Sequence, residues 1–254
     1  MPRIQLDDLD MFYQDTGSGS PVLLLHGSLS TGRVSFERLL PRLAAHHRVL
    51  CPDLRGHGHS RSEALSWTTP MIARDMLAFM TALGLERAHI VGHSMGGDIG
   101  MMMAVRAPAR CRTLTSIGSG GSRNPDIQKY LEKLMAEDGS NPWPHIAREQ
   151  EERHREAHRG DWRTFMVMNL ASFVVYPDFS AADLRRLNMP FLLAHGSRDP
   201  FVSHGEVVRL RQCCPRFTHR VIEGAGHSPQ SSATHLEKLL PMLLAHLAGS
   251  EIPA

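Results

Sequence analysis

A chain of 254 residues with 42% hydrophobic and 21% charged residues has enough apolar material for a large core, and α/β folds of this size are commonly one unit. The formal net charge is only +2 and the basic residues are spread along the chain, which argues against a nucleic-acid-binding protein or one drawn to anionic lipid. No apolar run is long enough to span a bilayer, and the segment from Met1 to Asp10 lacks the apolar centre of a secretion signal, so the expected setting is the cytoplasm without membrane insertion.

Short apolar runs alternate with helical patterns through the first half, which reads as βα units building a largely parallel sheet. Strands are expected at 3–7 and 10–15, then at 21–25, where continuous apolar residues suit burial on both faces. Residues 47–51, 89–92, 113–117, 191–194 and 217–222 repeat the theme. A helix is predicted over 70–83, with Thr69 as its cap, Pro70 in its first turn and Gly84 past its end. A second covers 95–107 and stops at Pro108; its stripe of Met95, Ile99, Met102 and Met103 suits packing against the sheet better than cofactor binding.

The pattern changes over 120–188. Turn signals at Asn124-Pro125, Asp138-Gly139 and Asn141-Pro142 separate helical pieces at 126–137, 145–158, 161–175 and 180–187. The mixed charges of 148–159 suggest a solvated helix face. This stretch is expected to be a helical cap inserted between the sixth and seventh strands of one domain covering 1–254. Cys51, Cys111, Cys213 and Cys214 show no metal-ligand spacing, and adjacent Cys213 and Cys214 suit neither an ordinary disulfide nor a C-x-x-C pair, so reduced thiols are expected.

The informative motif is Gly92-His93-Ser94-Met95-Gly96-Gly97, which follows one predicted strand and opens the next helix. That is the context in which G-x-S-x-G makes a sharp turn and lifts a serine above the sheet. A serine hydroxyl needs a base to take its proton. His227 in Gly224-Ala225-Gly226-His227 and Asp199 in Gly196-Ser197-Arg198-Asp199 both stand just after predicted strands, where catalytic groups of open parallel sheets gather. The order Ser, Asp, His also fits. Bland readings stand beside these: Ser94 as a serine in a glycine-rich turn, His227 as one histidine among 16, and Asp199 as a turn former before Pro200, with Asp126, Asp178 or Asp183 as substitutes. The oxyanion donors would be the backbone N–H groups of Met95 and Ser28, with His26 as a loop brace.

Four segments together resemble the α/β-hydrolase superfamily, in particular its small serine esterases, lactonases and related acyl hydrolases: Leu25-His26-Gly27, Asp53-Leu54-Arg55-Gly56-His57-Gly58-His59-Ser60, Gly92 to Gly97, and Gly224 to His227. The resemblance implies an eight-stranded, mostly parallel sheet flanked by helices, a small helical cap and no cofactor. It also implies a structural role for the 53–60 loop, with His57 and His59 non-catalytic. Ser94 excludes the relatives that use an aspartate nucleophile, and Ser28 after His-Gly counts against the cofactor-free perhydrolases.

The expected activity is cleavage of a carboxylic ester-type bond in a small, mostly apolar acyl substrate. A lactonase, a biosynthetic thioesterase or a C–C bond hydrolase would use the same residues, and a ligand receptor that retains the fold is the non-enzymatic reading. Phe165, Met166, Val167, Met168, Leu170, Phe173 and their neighbours are too apolar for a solvated helix. Phe165 and Met168 are therefore taken, with Ser28, as substrate-contact residues, against the alternative of plain packing. Arg123 and Arg163 are candidates to hold a substrate carboxylate. The oligomeric state is left open.

Overall fold

The computed structural model describes residues 2–63, 66–123 and 144–249. The sheet begins with β1 (Arg3–Leu6), β2 (Leu9–Thr16) and β3 (Pro21–Leu25), followed by helices α1 (Gly32–Phe36) and α2 (Leu39–Ala44). Next come β4 (Arg48–Pro52), the two-residue β5 (Arg61–Ser62), α3 (Thr69–Ala82), β6 (Ala88–His93), α4 (Met95–Arg106) and β7 (Cys111–Ile117). Between β7 and β8 lie α5 (Pro144–Arg153), α6 (Arg155–His158), α7 (Trp162–Val175) and α8 (Ala181–Arg185). The chain then runs through β8 (Phe191–Gly196), α9 (His204–Cys213), β9 (Phe217–Ile222) and α10 (Ala233–Ala248).

The strand order is β1-β2-β4-β3-β6-β7-β8-β9, with β5 paired to β2. Pairs from β4 to β9 are parallel, and β2 meets β1, β4 and β5 antiparallel. Among the described residues the sheet thus has nine strands where eight were expected; Arg61–Ser62 is too short for a periodicity signal, and counting it makes the helical insertion follow β7.

Alternation along the central strands feeds two cores. Leu23, Leu25, Ile90, Leu114 and Leu193 join Ile72, Met76 and Phe79 of α3, Ile99 and Met103 of α4, and Leu210 of α9. On the other face, Val22, Leu24, Val49, Val91 and Leu192 join Phe36 of α1, Leu39 and Leu43 of α2, and Leu236, Leu239 and Leu243 of α10. Burial on both faces is why β3 reads as an uninterrupted apolar run. The methionine stripe of α4 is core: Met95, Met102 and Met103 are all buried.

Helix α3 begins one residue earlier than its sequence suggests. Thr68, not Thr69, is the cap and accepts from the Met71 N–H, while Thr69 is already helical. All four cysteines are unpaired, as expected. The predicted helix at 126–137 and the turns at 124–125, 138–139 and 141–142 lie outside the described residues.

The 53–60 loop is tied down by its own side chains. Asp53 Oδ1 accepts from the Gly32 N–H at 2.9 Å and Oδ2 from the His59 N–H at 3.0 Å. Arg55, 1% exposed, reaches Asp75 at 2.6 Å and Asp8 at 2.7 Å. These contacts suit the structural role expected of the loop.

Candidate active site

Strand β6 ends at His93 and α4 starts at Met95, so Ser94 carries the whole change of direction. Its backbone has φ 53° and ψ −121°, a strained combination for a side-chain-bearing residue that costs on the order of 1–3 kcal/mol. The turn holds because Ser94 N donates to Ile117 O at 2.8 Å and Gly97 N returns to Ser94 O at 2.8 Å. It also needs its glycines: a Cβ on Gly92 would lie 2.1 Å from Gly96 O, and one on Gly96 would lie 2.0 Å from Leu25 O. Ser94 is half-buried in an otherwise buried run. Met95 opens the helix, so its N–H belongs to the first turn, which has no helical acceptor.

Two loops at the carboxyl ends of β8 and β9 bring Asp199 and His227 together. His227 Nδ1 lies 3.0 Å from Asp199 Oδ1 and 3.1 Å from Oδ2, with the Asp199 side chain 0% exposed and that of His227 25% exposed. Burial raises the Asp199 carboxyl, but the His227 hydrogen bond, the Phe201 N–H on Oδ1 and the nearby imidazoles outweigh it, leaving its pKa below the usual carboxylate value. The rival aspartates have other occupations. Asp183 closes the capping box of α8 with Ser180, and exposed Asp178 pairs with Arg123 at 3.3 Å. Asp126 lies outside the described residues.

The Ser94 elbow and the His227 loop are in contact through His93. Its ring lies 4.9 Å from that of His227, and its Nε2 is 3.1 Å from His227 O and 3.2 Å from Ser228 Oγ. Burial pushes the His93 pKa down to about 4, so the ring is neutral and Nε2–H donates to the carbonyl. Phe201 packs edge-on to His227 at 4.6 Å between ring centroids. Gly118, directly after β7, lies close against the pair: a Cβ there would be 3.0 Å from Asp199 Oδ2 and 3.0 Å from His227 Nδ1. The sequence reading missed these three residues; the one signal available was Gly118 directly after a predicted strand, at the sheet end where Ser94 stands.

The loop after β3 lies against Ser94. A Cβ on Gly27 would be 3.3 Å from Ser94 Cβ. His26 braces this loop: its Nε2 accepts from Leu54 N at 2.9 Å, so Nδ1 carries the proton and donates to Gly27 O at 2.8 Å. Burial and the neighbouring His57 lower its pKa to about 3, which suits a structural residue and not a base. His57 is also fully buried, and His59 pairs with Asp53.

The helical insertion docks through one face of α7. Phe165 is 1% exposed, with its ring 4.6 Å from His154, 5.7 Å from His57 and 5.8 Å from Trp67. Asn169 meets Ser28 and His57, and Ser172 Oγ accepts from Thr69 N at 3.0 Å. Met168 is half-buried on the same helix. The charged 148–159 stretch is solvated on one face only: Gln150, His154 and His158 point inward and are buried. The Arg163 side chain lies outside the described residues.

Among the described residues, no three or more His, Cys, Asp or Glu side chains are grouped to hold a metal, and no helix is long and apolar enough to cross a membrane. A cleft of about 460 Å³ lined by Arg87, Arg112, Met189 and Arg216 opens at the amino ends of the central strands, the opposite edge of the sheet from Ser94.

Comparison with known proteins assigns the class. The alpha/beta hydrolase fold family matches residues 20–173, more than half of the sequence, and the chain belongs to that family. RutD of Azorhizobium caulinodans, which carries a carbamate-hydrolase name, is 38% identical over 132 residues, 52% of this chain and 49% of its own. The 2-hydroxymuconate semialdehyde hydrolase of Pseudomonas sp. strain CF600 is 34% identical over 131 residues, 50% of this chain and 45% of its own. The chain thus spans about half the length of these two curated relatives. A thermophilic esterase from Thermogutta terrifontis superposes with a TM-score of 0.77 at 22% identity, covering 97% of this chain and 99% of the other, a likeness of fold.

Proposed function

We propose that the chain is a serine hydrolase acting on carboxylic ester-type bonds of a small, mostly apolar substrate, with Ser94 as nucleophile, His227 as base and Asp199 orienting that base. The observation that carries this reading is the Asp199–His227 pair, at 3.0 Å, presented at the same end of the sheet as the strained Ser94 turn. A residue kept at φ 53° needs a reason, and lifting a nucleophile clear of the sheet is one.

In this mechanism His227 Nε2 takes the Ser94 hydroxyl proton as Oγ bonds to the substrate carbonyl carbon. The negative oxygen is held by the N–H groups of Met95 and Ser28. Asp199 keeps the proton on Nδ1 and stabilises the imidazolium without becoming protonated itself. His227 then delivers its proton to the leaving oxygen as the C–O bond breaks. Water, deprotonated by the same imidazole, then attacks the acyl carbon, and His227 passes that proton to Ser94 Oγ as the acyl–serine bond breaks. No step calls for a metal or cofactor.

Residues 120–188 are read as a cap over a single catalytic domain. Within it Met168 is the apolar contact for substrate, while Phe165 acts from beneath by seating α7. Turnover of p-nitrophenyl acetate and butyrate tests the reading: Ser94→Ala and His227→Ala should abolish it, and unchanged turnover in Ser94→Ala would sink it. A second reading keeps these residues and changes the bond, because the chain is 34% identical over half its length to a protein named for hydrolysis of a semialdehyde. A panel of lactones, acyl thioesters and vinylogous diketones separates that case.

A further inference from the structure

The loop that would supply the second oxyanion donor is fixed from two sides by different means. On the sheet side, both nitrogens of His26 are engaged by backbone, and Gly27 rests against Ser94. Past Gly27, Leu29 has φ 56°, a left-handed backbone that side-chain-bearing residues avoid without outside support. That support comes from the insertion. Arg153 Nη1 donates to Leu29 O at 3.1 Å, and the Ser28 hydroxyl donates to Asn169 Oδ1.

The direction of the Asn169 amide follows from its neighbours. His57 Nδ1 faces Arg55 O at 3.0 Å, so Nδ1 must carry the proton. Burial keeps His57 neutral, and its Nε2 is therefore an acceptor. Asn169 Nδ2, 3.1 Å away, donates to it, which leaves Oδ1 for the Ser28 hydroxyl. Asn169 is 1% exposed and His57 0% exposed, so the Asn169–His57 bond is shielded from water, while Ser28 at the outer end is half-buried. The chain of donors runs one way, from Ser28 through Asn169 and His57 to the Arg55 carbonyl.

We propose that Asn169 is a positioning residue for transition-state stabilisation: with Arg153 it holds the Ser28–Leu29 backbone so that the Ser28 N–H points at the developing oxyanion. The inference rests on the function proposed above. It makes the cap a working part of the site, since undocking α7 would release the second oxyanion donor.

The test uses the full chain with p-nitrophenyl butyrate and an alkyl boronic acid, whose tetrahedral adduct on serine resembles the oxyanion state. Asn169→Ala should lower kcat tenfold or more with KM changed less than threefold. The boronate should bind more weakly in proportion to the loss in kcat/KM. Asn169→Asp, nearly the same size, should also fail, because a carboxylate cannot donate to His57 Nε2. Ser28→Ala removes the same hydrogen bond from its other end, so the double variant should be no worse than the poorer single variant. If Asn169→Ala does not fold, Ser28→Ala and Arg153→Met carry the test, each with the same split between kcat and KM. Near-normal kcat in these variants, multiplicative losses in the double variant, or full activity in Asn169→Asp would overturn the proposal. Wild-type protein without Ser94-dependent turnover would instead remove the function on which it stands.

Discussion

The Asp199 carboxylate rests over the bare α-carbon of Gly118: a Cβ there would lie 3.0 Å from Asp199 Oδ2 and 3.0 Å from His227 Nδ1. Gly118 also has φ +73°, and its N–H donates to Ala194 O at 2.9 Å, so neither its backbone nor its position can easily relax. A side chain at this point is strained twice, by its own conformation and by the pair it pushes apart. If Asp199 and His227 act as proposed, Gly118→Ala should lower kcat by roughly tenfold to a hundredfold, because small misplacements of a catalytic pair are costly. Steady-state kinetics on an activated ester checks it, and near-normal kcat in folded protein would mean that Asp199 can move without consequence.

Asp199→Asn preserves volume and removes the charge that, in the proposed mechanism, stabilises an imidazolium. The loss in kcat should be on the order of 10³–10⁴, with the variant still folded. The sign of its pH dependence follows from the lowered Asp199 pKa. A carboxylate whose folded pKa is depressed adds stability above its unfolded value of about 3.9 and loses it as pH falls through the lower folded value. The stability difference between wild type and Asp199→Asn should therefore be present at neutral pH and close only below about pH 4. Urea unfolding at several pH values measures it.

How far the sequence carries differs from element to element for physical reasons. The central strands were legible because burial on both faces writes a continuous apolar run. Ser94 was legible because its turn demands glycine at 92 and 96, where a Cβ would meet backbone at 2.1 Å and 2.0 Å. Helices α1, α2, α9 and α10 drew no expectation, although α10 buries Leu236, Leu239 and Leu243 at helical spacing. The 148–159 stretch misled in part, since its charges hide buried Gln150 and His154, the latter held by a residue nearly a hundred positions earlier through the Gly58 N–H to His154 Nδ1 bond. Pairings across such distances leave no local pattern. The same holds for Asn169, which looks like one polar interruption of an apolar helix until Ser28 and His57 are placed beside it.

Phe165 and Met168 stood together as substrate contacts in the sequence, but their surroundings differ. Phe165 is enclosed by His57, Trp67 and His154, whereas Met168 is half-buried. Phe165→Ala should cost about 3 kcal/mol or more of stability, as deletion of a buried aromatic ring does. It should lower activity evenly across acyl chain lengths. Met168→Ala should cost less stability and shift the preference among acetate, butyrate and octanoate esters. A shifted chain-length profile in Phe165→Ala at unchanged melting temperature would return that ring to the substrate pocket.

Asp98 sits in the first turn of α4, 5% exposed, accepting a hydrogen bond from Ser119 Oγ. Burial, reinforced by the negative charge of Glu206 and opposed by the Ser119 bond, pushes its carboxyl up to about 7. The folded state therefore holds this proton more tightly than the unfolded chain, whose aspartate titrates near 3.9. Stability from this group is full below about pH 4 and falls as pH rises, until the whole penalty is present above about pH 7. A shift of about three units sets an upper bound of about 4 kcal/mol on that penalty. Asp98→Asn keeps an acceptor for Ser119 and has no proton to lose. Its unfolding free energy should match wild type or fall slightly below it at pH 4–5, and exceed it by on the order of 1 kcal/mol or more at pH 8. Urea titrations across that range measure the difference. A gap that stays constant from pH 4 to pH 8 would show that Asp98 does not change its protonation there. The charge would then be compensated in the fold by more than the Ser119 hydroxyl.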